Sequence, residues 1–288
     1  MNMNHIKKTL TLYYPTQNFL SFSVTGGRCE RNCAHCGGHY LKGMIPVSSG
    51  KELYERCREF YLKKGKGVLI SGGCGKDGSI DFSQFLDAIE AISYFSDFYL
   101  NIHTGFLGKE DAETLTRLGI DSISMDVVGS EETLKKVYGL NKNLKDYKVV
   151  FDVFKKRGVK VSPHICVGLH FGEIKGEYTA IDLLSKYQEV VKKLIFIVLL
   201  PTKGTKMENI SPPSSKEVIE VFKYARKKLK NPLILGCMRP RNSDLELSLI
   251  ELRIDGIVNP LAETKRELLR RADSLGLTVL EKDGCCSF

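Results

Sequence analysis

The chain has 288 residues, 42% hydrophobic and 27% charged, which suits one large α/β domain with ample apolar material for a core. Its longest apolar run, residues 194–200, is far too short to cross a bilayer, and residues 1–10 lack the apolar segment of a secretory signal, so a cytoplasmic protein is expected. Forty-three basic against 34 acidic residues give a formal charge of +9, scattered through stretches such as 223–230 without interleaved aromatics; this argues against nucleic acid and fits a Lys-rich surface or an acidic partner protein.

Short apolar runs alternate with amphipathic stretches along the whole chain. Strands are expected at 19–24, 67–71, 98–103, 121–127, 159–168, 193–200, 232–237 and 256–258. Helices are expected at 51–64, 82–95 and 109–118, in a region ending at 153–158, and at 180–191, 214–229, 244–253 and 262–276. Runs that are apolar throughout are buried on both faces, as in parallel sheets. Eight strand–helix units of this size predict a closed (β/α)8 TIM-type barrel, with an open doubly wound sheet as the alternative. No linker interrupts the pattern, so residues 1–288 form a single domain in this reading, with a core at about 19–276 and a C-terminal tail at 277–288.

Nine cysteines in a long chain without a secretion signal point to metal or redox chemistry rather than a disulfide framework. Three of them, Cys29, Cys33 and Cys36, follow the first predicted strand in "GGRCERNCAHCGG", with spacing C-x3-C-x2-C. Three thiolates on one short loop can wrap a corner of an iron–sulfur cluster. Zinc, with His35 or His39 as fourth ligand, is the alternative. The loop leaves its strand at the catalytic end of a barrel, which favours a catalytic cofactor.

This arrangement resembles the radical S-adenosylmethionine (SAM) enzymes. The resemblance implies that Cys29, Cys33 and Cys36 hold a 4Fe–4S cluster whose open iron binds SAM. It also implies an electron donor such as ferredoxin, and hydrogen abstraction from an unactivated carbon. "LISGG" (69–73) is similar to the family's Gly-Gly segment, which implies that Ser71, Gly72 and Gly73 border the SAM amine; Cys74 stands where the family often has Glu. "SMDVVGSEE" (124–132) places Asp126 where related members contact the ribose hydroxyls. "HICVGLHFGE" (164–173), with Gly168, and "VLLPTKGTKM" (198–207), with Leu200 as the adenine contact, resemble their fifth- and sixth-strand segments. The resemblance spans roughly 19–260 and runs nearest to the biotin synthase-like members, which include lipoyl synthases and a hydrogenase maturase.

Six cysteines remain. Cys57 lies on the apolar face of a helix and reads as a buried structural thiol. Cys74 and Cys166 sit near strand ends, and Cys166 shares a face with His164 and Ser162 that points either into the barrel or towards the helices. Cys237 ends the seventh predicted strand. From the last helix, about ten extended residues reach roughly 33 Å, enough to bring "GCCSF" back over the barrel mouth. Cys237, Cys285 and Cys286 are therefore expected to hold a second iron–sulfur cluster facing the first, with Cys74, Cys166 or Ser287 as possible completing ligands. A prenylation box is a poor match, because its middle residues would be Cys and Ser and no polybasic stretch precedes it. A frayed terminus or a redox dithiol is the other alternative.

The resemblance implies sulfur insertion into an octanoyl chain on a small acidic lipoyl carrier protein, together with a second radical SAM protein. The alternative is a biotin synthase-like enzyme with another outcome, such as rearrangement, methylthiolation or cofactor maturation.

Overall fold

The structure, a computed structural model, describes residues 8–15 and 17–288. Eleven strands form one sheet: β1 (Lys8–Tyr14), β2 (Phe19–Ser23), β3 (Ile45–Pro46), β4 (Gly67–Ser71), β5 (Tyr99–Thr104), β6 (Ser122–Asp126), β7 (Val161–Val167), β8 (Leu194–Val198), β9 (Leu233–Leu235), β10 (Gly256–Val258) and β11 (Leu277–Asp283). Every pairing is parallel, in the order β11-β1-β10-β9-β8-β7-β6-β5-β4-β2-β3. The sheet curls into a TIM-type open barrel. The eight strands expected from the apolar runs are β2 and β4–β10, within a residue or two of their expected ends at most boundaries.

Helices cover the outside: α1 (Gly50–Leu62), α2 (Leu86–Ser93), α3 (Lys109–Leu115), the one-turn α4 (Glu131–Thr133), α5 (Leu144–Arg157), α6 (Glu177–Leu184), α7 (Ser215–Lys228), α8 (Ser243–Glu251) and α9 (Ala262–Arg271). Local chemistry sets their ends. Ser49 accepts the Glu52 N–H at the start of α1, and Ser214 and Glu217 form a reciprocal box at the start of α7. Gly158, in the left-handed region, ends α5. One continuous core lies between sheet and helices, with Phe151, Phe154, Phe196 and Phe222 fully buried.

Three strands extend the sheet beyond the expected eight: the two-residue β3 beside β2, and β1 and β11 at the other edge. β1 pairs with β10 on one side and with β11 on the other. Leu10 and Leu12 share one face of β1 and are wholly buried in the core under the helices, while Tyr13 on the other face packs with Cys286. β11 is an edge strand whose last residues, Glu281, Lys282 and Asp283, are exposed charges of the kind that protect an edge.

The tail does not cover the catalytic mouth, which corrects that expectation. Barrel strands are tilted and staggered. The C-terminal end of β11 therefore arrives beside the N-terminal end of β2, where Asn18 Nδ2 donates to Asp283 Oδ2 at 2.6 Å. Gly284 N then donates to Tyr14 O (2.9 Å), and the chain turns inward. Phe288 packs on Tyr99, the first residue of β5, with ring centroids 4.4 Å apart. Residues 284–288 thus plug the barrel at the N-terminal ends of its strands.

Candidate active site

The loop after β2 is bound tightly to its surroundings. Glu30 N donates to Cys74 O (2.8 Å) and Ala34 N to Val137 O (2.8 Å), while the Arg31 guanidinium bonds the carbonyls of Tyr138 and Lys76. Gly37 N and Cys36 N both donate to Cys33 O, and this turn folds the two cysteines together. Cys33 donates to Cys36, which drops the Cys36 thiol to about 4, with His35 adding to the effect; the same bond and burial push Cys33 up. Cys29 Sγ lies 3.7 Å from Cys74 O.

Gly73 makes this approach possible. A Cβ at that position would lie 2.0 Å from Arg28 O and 2.7 Å from Cys29 Cβ. No side chain fits there. Gly73 N donates to Thr25 Oγ1 (2.6 Å), and Ser71 Oγ donates to His103 O (2.8 Å), so both groups brace the floor of the site.

Cys29, Cys33 and Cys36 face one cavity with Gly72, Gly73 and Asp126. The cavity has a volume of about 220 Å³ and opens to solvent at the barrel mouth. Asp126 ends β6, and its Oδ1 lies 3.8 Å from His103 Nε2. The His103 ring meets His164 edge-on at 5.1 Å. The face shared by Ser162, His164 and Cys166 therefore points into the barrel. Burial, and then the charge of His103, lowers His164 to about 3. Its Nδ1 lies 3.0 Å from Ser162 O, which holds the proton on that nitrogen. Below this layer, Ser122 and Ser162 hydroxyls meet at 2.9 Å and Ser124 donates to Asn101 Oδ1 at 3.0 Å. Burial and the neighbouring Cys29 raise Cys74 to about 12.

Gly168 and Leu200 stand apart from the lining of this cavity. Gly168 has φ +78°, and a Cβ there would meet Pro213 at 2.5 Å; its N–H donates to the buried Glu177 (2.8 Å). Leu200 is exposed on the rim after β8. Cys57 is fully buried on α1, as expected.

Cys285 and Cys286 lie inside the barrel at its N-terminal end, within electrostatic reach of Cys237. Cys237 follows β9 and is solvent-accessible at the mouth, yet its thiol is raised by deep surroundings and by Cys285. Cys286 packs among Tyr13, Ile195, Ile234 and Val258, with Cys285 against the same group. Cys285 and Cys286 are hydrogen-bonded to each other, which lowers Cys285 to about 6 and raises Cys286. Cys285 Sγ also faces Asn101 Nδ2 at 3.9 Å and Ser287 Oγ at 3.4 Å.

Three supporting residues escape sequence reasoning. Arg239 and Glu246 form an ion pair with no side-chain exposure, Nη2 to Oε1 at 2.5 Å, and Arg239 Nη1 also bonds Gly236 O, next to Cys237. Lys193 bonds the tail. Charged residues flanking apolar runs look like solvated surface, and only the folded positions show otherwise.

The donor set fits an iron–sulfur cluster better than a lone ion. Among the described residues no three His, Cys, Asp or Glu side chains gather round a single point. A cluster corner instead asks for separate thiolates, each to its own iron. His35 Nδ1, beside the loop thiols, is buried without a partner among the described residues, leaving one polar atom for a bound group to satisfy.

A parallel α/β barrel with a thiol-bearing loop at the C-terminal mouth of its first core strand is the architecture of cofactor-dependent barrel enzymes. The Radical SAM superfamily model matches residues 23–177, more than half of the chain, and the protein belongs to that superfamily. The family implies a 4Fe–4S cluster, SAM and an electron donor. The chain is 23% identical over 210 residues to the biotin synthase of Persephonella marina, covering 70% of this chain and 61% of that protein. It is 24% identical over 221 residues to the biotin synthase of Clostridium acetobutylicum, covering 74% and 65%. The matched part thus spans less than two thirds of these relatives. Among solved structures, the FeFe-hydrogenase maturase HydG from Carboxydothermus hydrogenoformans matches with TM-score 0.59 and 17% identity, covering 87% of this chain and 58% of that one. Methylornithine synthase matches with TM-score 0.60 and 13% identity, covering 94% and 83%. These two likenesses concern the fold. Among the described residues no helix is long and apolar enough to cross a membrane.

Proposed function

We propose that this radical SAM enzyme inserts sulfur into an octanoyl chain carried on a lysine of an acidic lipoyl carrier protein, acting with a second radical SAM protein. The observation that supports this reading is the pair Cys285 and Cys286 seated inside the barrel, apart from the Cys29–Cys36 loop and within electrostatic reach of Cys237. Thiols so placed suit a second iron–sulfur group, and sulfur insertion needs a sulfur source beside the substrate. Similarity to biotin synthases supports the same chemistry. The +9 charge suits an acidic carrier.

In this reading Cys29, Cys33 and Cys36 hold the first cluster. Ser71, Gly72 and Gly73 border the SAM amine, and Asp126 accepts from the ribose hydroxyls. Leu200 offers apolar surface to adenine from the rim, and Gly168 shapes the adjoining turn. When bound, the first cluster with SAM supplies one-electron removal of hydrogen from an unactivated carbon, and the second supplies sulfide. The electron donor is a ferredoxin-like protein.

A second reading keeps the family and changes the substrate. The inner wall of Asn101, His103, Ser124, Ser162 and His164 is rich in hydrogen-bonding groups, which suits a polar substrate better than an alkyl chain.

The test is a single-turnover reaction of anaerobically reconstituted protein with an octanoyl-lysine peptide, followed by mass spectrometry. A thiolated octanoyl product with matching deoxyadenosine supports sulfur insertion. Deoxyadenosine release only with polar substrates would transfer support to the second reading.

A further inference from the structure

Residues 284–288 form neither strand nor helix, so their buried carbonyls have no ladder to join. The N-terminal rim of the barrel meets them instead. Lys193, just before β8, reaches inward and places Nζ 2.8 Å from Tyr13 OH and 3.1 Å from Cys286 O, and it also donates to Phe288 O. These three acceptors use all three donors of the ammonium. Tyr99 OH donates to Ser287 O and accepts from Lys192 Nζ at 2.8 Å. The fourth carbonyl, that of Cys285, accepts Phe288 N at 3.0 Å. Four successive main-chain oxygens, of residues 285–288, are thus satisfied, two of them by one side chain. Two residues along the same strand face, Ile195 packs with Cys286.

We propose that Lys193 is the latch of this plug, and so the positioning residue that keeps the Cys285 and Cys286 thiols inside the barrel. Its bearing on a second cluster rests on the reading above; the latch itself does not. Without the ammonium, Cys286 O and Phe288 O, both part-buried, lose their partner, and an unpaired acceptor favours release into water. The tilted Phe288–Tyr99 ring contact, the Tyr99 OH–Ser287 O bond and the Gly284 N–Tyr14 O bond then remain to hold the tail.

The test uses the full chain without metal, so its failure and that of the second-cluster reading are separable. Anaerobic iodoacetamide labelling is followed by peptide mass spectrometry at each cysteine. In the native chain, Cys286 (5% exposed) reacts at least about tenfold more slowly than the exposed Cys237. Lys193→Met raises the Cys286 rate about tenfold, as expected for losing charge-assisted hydrogen bonds, while Cys57, fully buried in the core, stays unlabelled. Lys193→Arg keeps the donors and stays within about threefold of native. The latch is overturned if native Cys286 reacts as fast as Cys237, or if Lys193→Met leaves Cys286 protected. If Lys193→Met also exposes Cys57, Tyr13→Phe is measured instead. It removes one partner of the ammonium and is expected to raise the Cys286 rate about threefold; an unchanged rate there overturns the proposal.

Discussion

Asp126 and His103 face each other across adjacent strands, carboxylate Oδ1 to imidazole Nε2 at 3.8 Å, at the mouth that also holds the three loop cysteines. The pairing turns Asp126 towards the cavity rather than towards bulk solvent. A carboxylate so placed can accept hydrogen bonds from a polar ligand.

Asp126→Asn should therefore weaken SAM binding. Losing a charged acceptor predicts a KM for SAM raised about tenfold, with kcat changed by less than about threefold. Deoxyadenosine formation across SAM concentrations measures both. An equal fall in kcat with KM unchanged would move Asp126 out of the binding role.

Gly73→Ala should disable the site without unfolding the barrel. The new Cβ meets backbone, Arg28 O at 2.0 Å, so the cysteine loop must move. A displacement of that order predicts about a hundredfold loss of deoxyadenosine formation. Circular dichroism should show the fold retained. Native activity in this variant would mean that the loop moves freely.

Glu246→Gln should be costly although it lies away from the cavity. It leaves the Arg239 charge buried and uncompensated, at a cost of about 3 kcal/mol. Urea unfolding of native and variant protein measures this. A loss below about 1 kcal/mol would show that the pair is dispensable.

The pH dependence of stability should carry a His164 signature. The unfolded side chain takes a proton near 6.5, whereas the folded one resists until about 3. The unfolded state therefore binds more protons in that window, so stability falls as pH drops through it. Urea midpoints at pH 7.5, 6.0 and 5.0 should fall more steeply for native protein than for His164→Gln. Parallel slopes would show that His164 titrates normally.

The core strands were legible because each is an apolar run followed by a helical period. The outer pair was not. "KTLTLYY" alternates polar with apolar, and "LTVLEKD" ends in three charges, yet β1 offers a parallel edge that β11 can use. The three-cysteine loop was legible from spacing and from its place after a strand. Period-two spacing put Ser162, His164 and Cys166 on one face, but only the His103 contact shows that this face looks inward. Chain reach allowed the tail to meet Cys237. It set a distance and no direction, and barrel stagger sends the tail to the opposite mouth. Lys193 was invisible because its partners lie about 180 residues before it and about 93 and 95 after it, in two other elements.

Anaerobic iron and sulfide analysis of native chain against a Cys237→Ala/Cys286→Ala variant tests the two-cluster account most directly. Two clusters require about eight irons per chain in the native protein and about four in the variant, with the SAM-responsive signal kept in both. About four irons in the native protein, or the same content in both, would contradict it.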